Sequence, residues 1–340
     1  MRSFASDNNS GISPEVIDSI SKANVDHALG YGDDKWSKEA EREINEAFGG
    51  DTQVLFTFNG TGSNCLALEL CTKPWGLIFC TETAHIVVDE CGAPAKMTGA
   101  AIKALPTVNG KLTPEIIKPH IIGLGEQHHS QPQAIYISQC TELGTVYTPK
   151  EIRDITSFAH SYGMYVHMDG ARLANACAFL NKNLKELTSD CGVDVVSFGG
   201  TKNGLMIGEC VVVLNEKLKN NAIYIRKQSA QLASKQRFLA CQFSAYLKND
   251  LWLRNAKNAN KMAAILRAEL EQMPLIKFTQ PTESNQLFLT MPREAANNLA
   301  AKQAFFYWNE YKGEIRFVTS FDTTKEDVYA LIRDIKDSMY

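Results

Sequence analysis

Short apolar runs alternate with helix-period segments along most of the chain. Gln53 to Phe58 is a β-branched and aromatic run broken by Asn59-Gly60-Thr61-Gly62, and a helical stretch opens at Ser63. Leu77 to Thr81, Ala134 to Ser138, Tyr165 to Met168 and Val193 to Phe198 are further apolar runs, each ending at a cluster of Gly, Ser, Asp or Thr. Between them lie segments of helical period such as Pro149 to Tyr162. Strands too apolar to alternate, separated by helices, predict a mainly parallel sheet covered on both faces.

The flanks differ. Residues 1–12 are polar and read as an extended arm. Ser13-Pro14-Glu15 has an N-cap followed by Pro at the first helical position, which predicts a helix to about Ala28. After the turn Gly30-Tyr31-Gly32-Asp33-Asp34, a second helix is expected over Ser37 to Phe48. Met206 to Leu214 reads as one more strand. A long helical stretch, or a broken pair, then spans about Glu216 to Met273 and leaves the main unit. Strand runs at Gln286 to Leu289 and Glu314 to Val318, then a helix from Lys325, predict a small α+β unit. The expected division is an arm (1–12), a large domain (13–245) and a small C-terminal domain (246–340).

Composition narrows the function. At 340 residues the chain exceeds the usual single-domain size. Its net charge is −3 and its Lys and Arg are scattered, which argues against nucleic acid or an anionic membrane as the main partner. No apolar run is long enough to span a bilayer, and the first ten residues have no apolar segment of a leader. The nine cysteines are odd in number, sit mostly in apolar surroundings and form no CxxC pair. They read as reduced buried thiols of a cytoplasmic protein, with no metal site expected.

Four groups fall where strand ends should be, the edge at which an open parallel sheet binds ligands. Phe58 to Asn64 is a strand-to-helix turn with two glycines, and helix-start N–H groups suit a phosphate. It is neither a Walker A loop nor a GxGxxG fingerprint. In Val166 to Arg172 a strand ends on Asp169, and Arg172 follows three residues later. A carboxylate there can pair with a protonated pyridine nitrogen and make the ring a better electron sink. Lys202 stands among small residues in Ser197 to Gly204, where an amine deprotonates more readily and can form a Schiff base with an aldehyde, with Ser197 and Thr201 in reach of a phosphate. His85 follows the strand ending at Thr81 and can stack on a planar ring or act as acid or base.

On these motifs the chain resembles the low-specificity L-threonine aldolases, also known as the aromatic amino-acid β-eliminating lyase/threonine aldolase family. HMDGAR and the GTKNG lysine context carry most of the likeness, and YGDD at Tyr31 to Asp34 adds to it. The resemblance implies the aspartate-aminotransferase-like fold type I and pyridoxal 5′-phosphate (PLP) on Lys202. Asp169 would pair with the pyridine nitrogen, His85 would stack on the ring, and Gly60, Thr61 and Gly62 would hold the phosphate. Ser6, Arg172 and Arg316 would hold a substrate carboxylate, with Tyr31 near the site. A homodimer or homotetramer is also implied. The reaction implied is retro-aldol cleavage of a β-hydroxy-α-amino acid to glycine and an aldehyde, with β-elimination on the same cofactor as the alternative and a degenerate PLP-binding scaffold as a third reading.

Two departures bear on specificity. The family's ENTHN-like segment, whose His contacts the substrate hydroxyl, is Ser138 to Gly144 here and offers Thr141 or Glu142 instead. The GGGMRQ-like segment carries Lys235-Gln236. The TELGTVYTP form resembles a phenylserine-aldolase-like branch. The base is left open among His85, Glu142 and water.

Overall fold

The computed structural model describes residues 2–339. Seven strands form the large sheet: β1 (Gln53–Thr57), β2 (Gly76–Thr81), β3 (Ala101–Leu105), β4 (Gln131–Ser138), β5 (Tyr165–Gly170), β6 (Val195–Gly199) and β7 (Glu209–Val213). Their order is β1-β7-β6-β5-β4-β2-β3. Strand β7 alone runs against the rest, since β1 and β6 both pair with it antiparallel and the remaining neighbours are parallel. The carboxyl ends of six strands therefore share one edge, and β7 begins there with Glu209.

Apolar residues on both faces of these strands explain the sheet's burial. Phe56, Ile135, Val166 and Val196 face one core, while Leu55, Ala134, Tyr136 and Val195 face the other. Helix Gly60–Cys71 crosses the second face, and helices Pro149–Ser161 and Leu173–Leu180 cover the first. The helix at Pro149 starts as the sequence predicts. Thr148 and Glu151 form a reciprocal capping box that satisfies two free donors.

A second sheet holds β8 (Lys277–Phe278), β9 (Gln286–Thr290), β10 (Phe306–Asn309) and β11 (Glu314–Val318), all antiparallel in the order β10-β11-β9-β8. Helix Leu251–Leu270 serves both cores: Leu251, Trp252 and Ala256 pack with the large sheet, and Met262, Leu266 and Leu270 with the small one.

Several expectations need correction. The first helix ends at Ala23 rather than near Ala28, and Asp26 three residues later takes a positive φ, which a helix excludes. The stretch from Glu216 to Met273 is four helices, Glu216–Lys219, Ala222–Gln228, Arg237–Leu247 and Leu251–Leu270. Ala230, Asn249 and Asp250 adopt left-handed φ at the breaks. Strand β3, three of whose five residues are charged or alanine, went unpredicted. The N-terminal arm is not merely extended surface chain. Phe4 is buried in the small-sheet core, its carbonyl accepts the Val318 N–H at 2.8 Å, and Arg2 pairs with Asp322 and Asp327.

Candidate active site

The carboxyl edge of the large sheet gathers the chemistry. Gly60, Asn64, His85, Ser138, Cys140, Glu142, Asp169, Ala171, Arg172 and Lys202 line one small cavity there. Strand register explains the gathering: Ser138 on β4 lies beside Asp169 on β5, and Asp169 beside Ser197 on β6.

Asp169 is buried yet has three donors. Its Oδ2 accepts from the Tyr136 hydroxyl at 2.7 Å and the Asn64 amide at 2.8 Å, and its Oδ1 accepts from the Ala171 N–H at 2.9 Å. Burial alone would push this carboxyl up, but the Lys202 charge and these donors outweigh it and hold it below the ordinary value. Asp169 does not cap the next helix, for Arg172 occupies the cap position of Leu173–Leu180.

Lys202 lies in a single turn of 3₁₀ helix after β6. Its amine has no carboxylate within ion-pairing distance among the described residues. Burial, and then the Arg172 charge, lower its pKa, while Asp7, Asp169 and Glu209 oppose this. An amine so placed is a better nucleophile than an exposed lysine. The turn is pinned from below: the Glu209 carboxylate accepts the Gly200 N–H at 2.7 Å, and burial pushes that carboxyl up to about 7.

The turn before helix Gly60–Cys71 is built for an anion. Asn59 caps it by accepting the Gly62 N–H at 2.8 Å, and the Ser63 N–H goes to the Asn59 carbonyl. The Gly60 and Thr61 amides remain as helix-start donors with no helical acceptor, and nothing lies within 4 Å of a side chain added at Gly60. A Cβ at Gly62 would meet only the mobile end of the Gln231 side chain. These donors suit a phosphate, and with Asp169 and Lys202 they fit PLP.

His85 starts a short helix beyond β2. Its backbone N–H donates to Glu142 Oε1 at 2.8 Å, and its Nδ1 lies 2.7 Å from Glu90 Oε1. Glu142 Oε1 also accepts from the Ser138 hydroxyl at 2.6 Å, and burial pushes the Glu142 carboxyl up.

The predicted carboxylate clamp is rearranged. Arg172 is committed along one edge: Nε and Nη2 donate to Asp7 Oδ2 and Oδ1 at 2.7 and 2.8 Å. Ser6 caps its own turn by accepting the Asn8 N–H. Arg316, on β11, is the guanidinium without an anion. Its Nε is buried without a hydrogen bond, its Nη2 makes only a 3.4 Å contact with the Ala5 carbonyl, and its pKa is pushed down to about 10 by burial and then by Arg172. Tyr31 does not join the cluster. It stands exposed at positive φ, held by the Ser234 carbonyl beneath the Lys227 ammonium. Ser197 lies 3.4 Å from His167 Nε2, and the Thr201 hydroxyl donates to the Gly208 carbonyl, both below the cavity lining.

Sequence reasoning missed Asp7, Asn64, Glu90, Tyr136 and His167. A polar Asn64 in the otherwise small and apolar SNCLAL run was a usable signal. Nothing local marked Asp7 or Glu90, whose partners are distant in sequence or reached through a turn.

The sheet order, the edge cavity and the set of Lys202, Asp169 and helix-start amides define a PLP enzyme of fold type I. The chain belongs to the beta-eliminating lyase family, whose model matches residues 3–292. It is 41% identical to the low specificity L-threonine aldolase of Pseudomonas aeruginosa over 98% of this chain and 96% of that one. It is 40% identical to the low specificity L-threonine aldolase of a Pseudomonas sp., over 99% and 97% of the two chains. Threonine aldolase of Leishmania major superposes with a TM-score of 0.94 at 32% identity, covering all of both chains.

Proposed function

We propose that this protein cleaves a β-hydroxy-α-amino acid of the threonine or phenylserine type to glycine and an aldehyde. The observation that carries the reading is an unpaired Lys202 amine in one cavity with the Asp169 carboxylate. PLP, when bound, supplies an aldehyde carbon and a ring that accepts the electron pair of the breaking bond. Lys202 would hold it, Asp169 would sit at its ring nitrogen, His85 on its face, and Gly60, Thr61 and Gly62 at its phosphate. Ser197 and Thr201 support the lysine turn.

Arg316 and the free edge of Arg172 bind the substrate carboxylate and so orient the molecule. A forked guanidinium fixes a carboxylate in plane, and that plane determines which bond at Cα stands across the ring. A base in the cavity takes the β-hydroxyl proton, the Cα–Cβ bond breaks, the aldehyde leaves, and a proton returned to Cα completes glycine. Residues 13–245 form the cofactor-binding unit in this reading and 246–340 the smaller one, a division supported by the two cores that helix Leu251–Leu270 joins. A homodimer or homotetramer enters this reading through the family resemblance alone. Nine unpaired cysteines, eight of them buried, support a cytoplasmic setting. No helix among the described residues is long and apolar enough to cross a membrane.

The test is a panel of L-threonine, L-phenylserine and L-serine with glycine, aldehyde and pyruvate detection. Glycine with a stoichiometric aldehyde is expected, and Lys202→Ala should lose it by at least about a thousandfold with no fixed cofactor absorbance. Pyruvate without glycine would overturn aldol cleavage in favour of β-elimination. A Lys202→Ala protein that behaves as wild type would refute the site.

A further inference from the structure

Glu90 belongs to no role so far assigned, yet it sits at the centre of the site. Its side chain is fully buried. One oxygen, Oε1, lies 2.7 Å from His85 Nδ1 and accepts from the Asn64 amide at 2.8 Å. The same Asn64 nitrogen donates to Asp169 Oδ2 at 2.8 Å, and Asn64 Oδ1 lies 3.0 Å from His167 Nε2. The other Glu90 oxygen, Oε2, is buried with no partner at all among the described residues. A buried carboxylate that leaves one oxygen unsatisfied costs free energy, and an apolar side chain would avoid that cost. That cost is offset here by the two bonds on Oε1, to His85 and Asn64.

We propose that Glu90 is a positioning residue for this reaction, aiming the His85 ring and joining it through Asn64 to Asp169. With Nδ1 held by Glu90 and the backbone N–H by Glu142, His85 has one nitrogen left, Nε2, on a ring that is 36% exposed in the cavity. The carboxylate also governs how readily the ring holds a proton. The groups facing His85 are Glu90 from its own segment, Glu142 from beyond β4, Asp169 from β5 and Lys202 from beyond β6. The hydrogen bond to Glu90 is the largest influence raising the His85 pKa, burial opposes it, Asp169 and the Glu90 charge add to it, and Lys202 subtracts. His85 thereby presents Nε2 as the base that accepts the hydroxyl proton, while Glu142 Oε1 is held by the His85 N–H and the Ser138 hydroxyl.

The inference rests on the aldolase reading for its chemistry, but its test does not. Holoenzyme labelled with ¹⁵N-histidine, with the His85 signal identified from a His85→Asn variant, reports the imidazole titration directly without substrate. In Glu90→Gln, which keeps an acceptor but removes the charge, the His85 midpoint should fall by about one pH unit or more. The acid limb of kcat/KM should move the same way by the same amount. Glu90→Asp should recover part of the shift. Asn64→Ala removes the donor that competes for Oε1, so the His85 midpoint should rise there, whereas a merely structural role would lower it in every variant.

An unchanged His85 midpoint in Glu90→Gln overturns the proposal. So does a fall in Asn64→Ala, which remains decisive should Glu90→Gln fail to fold. A moved midpoint with an unmoved acid limb removes His85 as the base and overturns that part. A wild-type protein that cleaves no β-hydroxy amino acid would sink the aldolase reading while the titration still decides the role of Glu90.

Discussion

Replacing Asp7 by Asn tests whether the N-terminal arm is part of the site. Asp7 and Arg172 form a bidentate ion pair with side chains only 1% and 12% exposed. Asn285 adds a donor to Asp7 at 2.9 Å, so the carboxylate is well satisfied. Asp7→Asn leaves the guanidinium buried without its counter-charge. Losing one partner of a buried pair costs about 3–5 kcal/mol. With an unfolding entropy of about 2.1 cal/mol/K per residue, a chain of this length loses roughly 0.7 kcal/mol per degree near Tm, so the cost reads as about 4–7 °C. Differential scanning fluorimetry of apo and holo protein measures it.

The pH dependence has a definite sign. Burial would raise the Asp7 carboxyl, but the Arg172 charge and hydrogen bonds, with Lys202 and Asn285, hold it below its ordinary value. A depressed folded pKa contributes stability that is complete above the ordinary aspartate value and is lost as pH falls through the folded one. The gap between wild type and Asp7→Asn should therefore be full at neutral pH and close in strong acid. Substrate KM should rise by about tenfold or more as the Arg172 fork loses its anchor, with cofactor affinity little changed. A Tm within a degree of wild type at neutral pH, together with an unchanged KM, would refute the reasoning.

Two further outcomes follow from the buried carboxyls. Tyr136→Phe deletes the 2.7 Å donor to Asp169 and should weaken cofactor binding by about tenfold, since a hydrogen bond to a charged group contributes about 1.5–3 kcal/mol; a spectrophotometric PLP titration with wild-type affinity would count against Asp169 as the ring partner. Glu209 has a raised folded pKa, so it costs stability as pH climbs from the ordinary glutamate value to about 7. Glu209→Gln keeps an acceptor for the Gly200 N–H, and it should make apo Tm less sensitive to pH between 5 and 8, a gain of about 1–3 kcal/mol at pH 8; a pH–Tm curve parallel to wild type would refute it.

Legibility in the sequence followed range. Strand runs such as Ala134 to Ser138 and the helical period from Pro149 to Tyr162 are local signals, and they predicted most of the large sheet and the Pro149 helix closely. Lys202, Asp169, His85 and Gly60 were found because each sits at or just past the end of a strand, where chain order alone places ligands. Partners that meet across 165 residues, as Asp7 and Arg172 do, leave no periodicity to read. The break near Ala230 was invisible because neither a Gly nor a Pro marks it, whereas Asn249-Asp250 is a turn signal that the surrounding helix formers obscured. Tyr31 was assigned by its motif, and the single chain holds it on the surface instead.

The two ends of the site are built from different parts of the molecule. Asp169, Lys202 and the Gly60 turn all spring from the large sheet, and Asn255, on the helix that joins the two cores, bonds the Asn203 carbonyl beside Lys202. The carboxylate end draws on both sheets and the arm. Arg172 comes from the large sheet, Arg316 from β11 of the small one, and Asp7 from an arm whose Phe4 is buried in the small-sheet core. Asn285, just before β9, bonds both Asp7 and the Thr319 carbonyl beyond β11, so the arm, the small sheet and Arg172 are joined by one run of polar contacts. An unpaired Arg316 beside Arg172 is repelled until an anion arrives. In the proposed reaction a substrate carboxylate would supply that anion to the guanidinium groups of both sheets. In the proposed reading, substrate recognition thus draws on both sheets, while the residues that would hold the cofactor come from the large one. Substitutions in the arm should accordingly separate KM from cofactor affinity, a division that a site built wholly on one sheet would not produce.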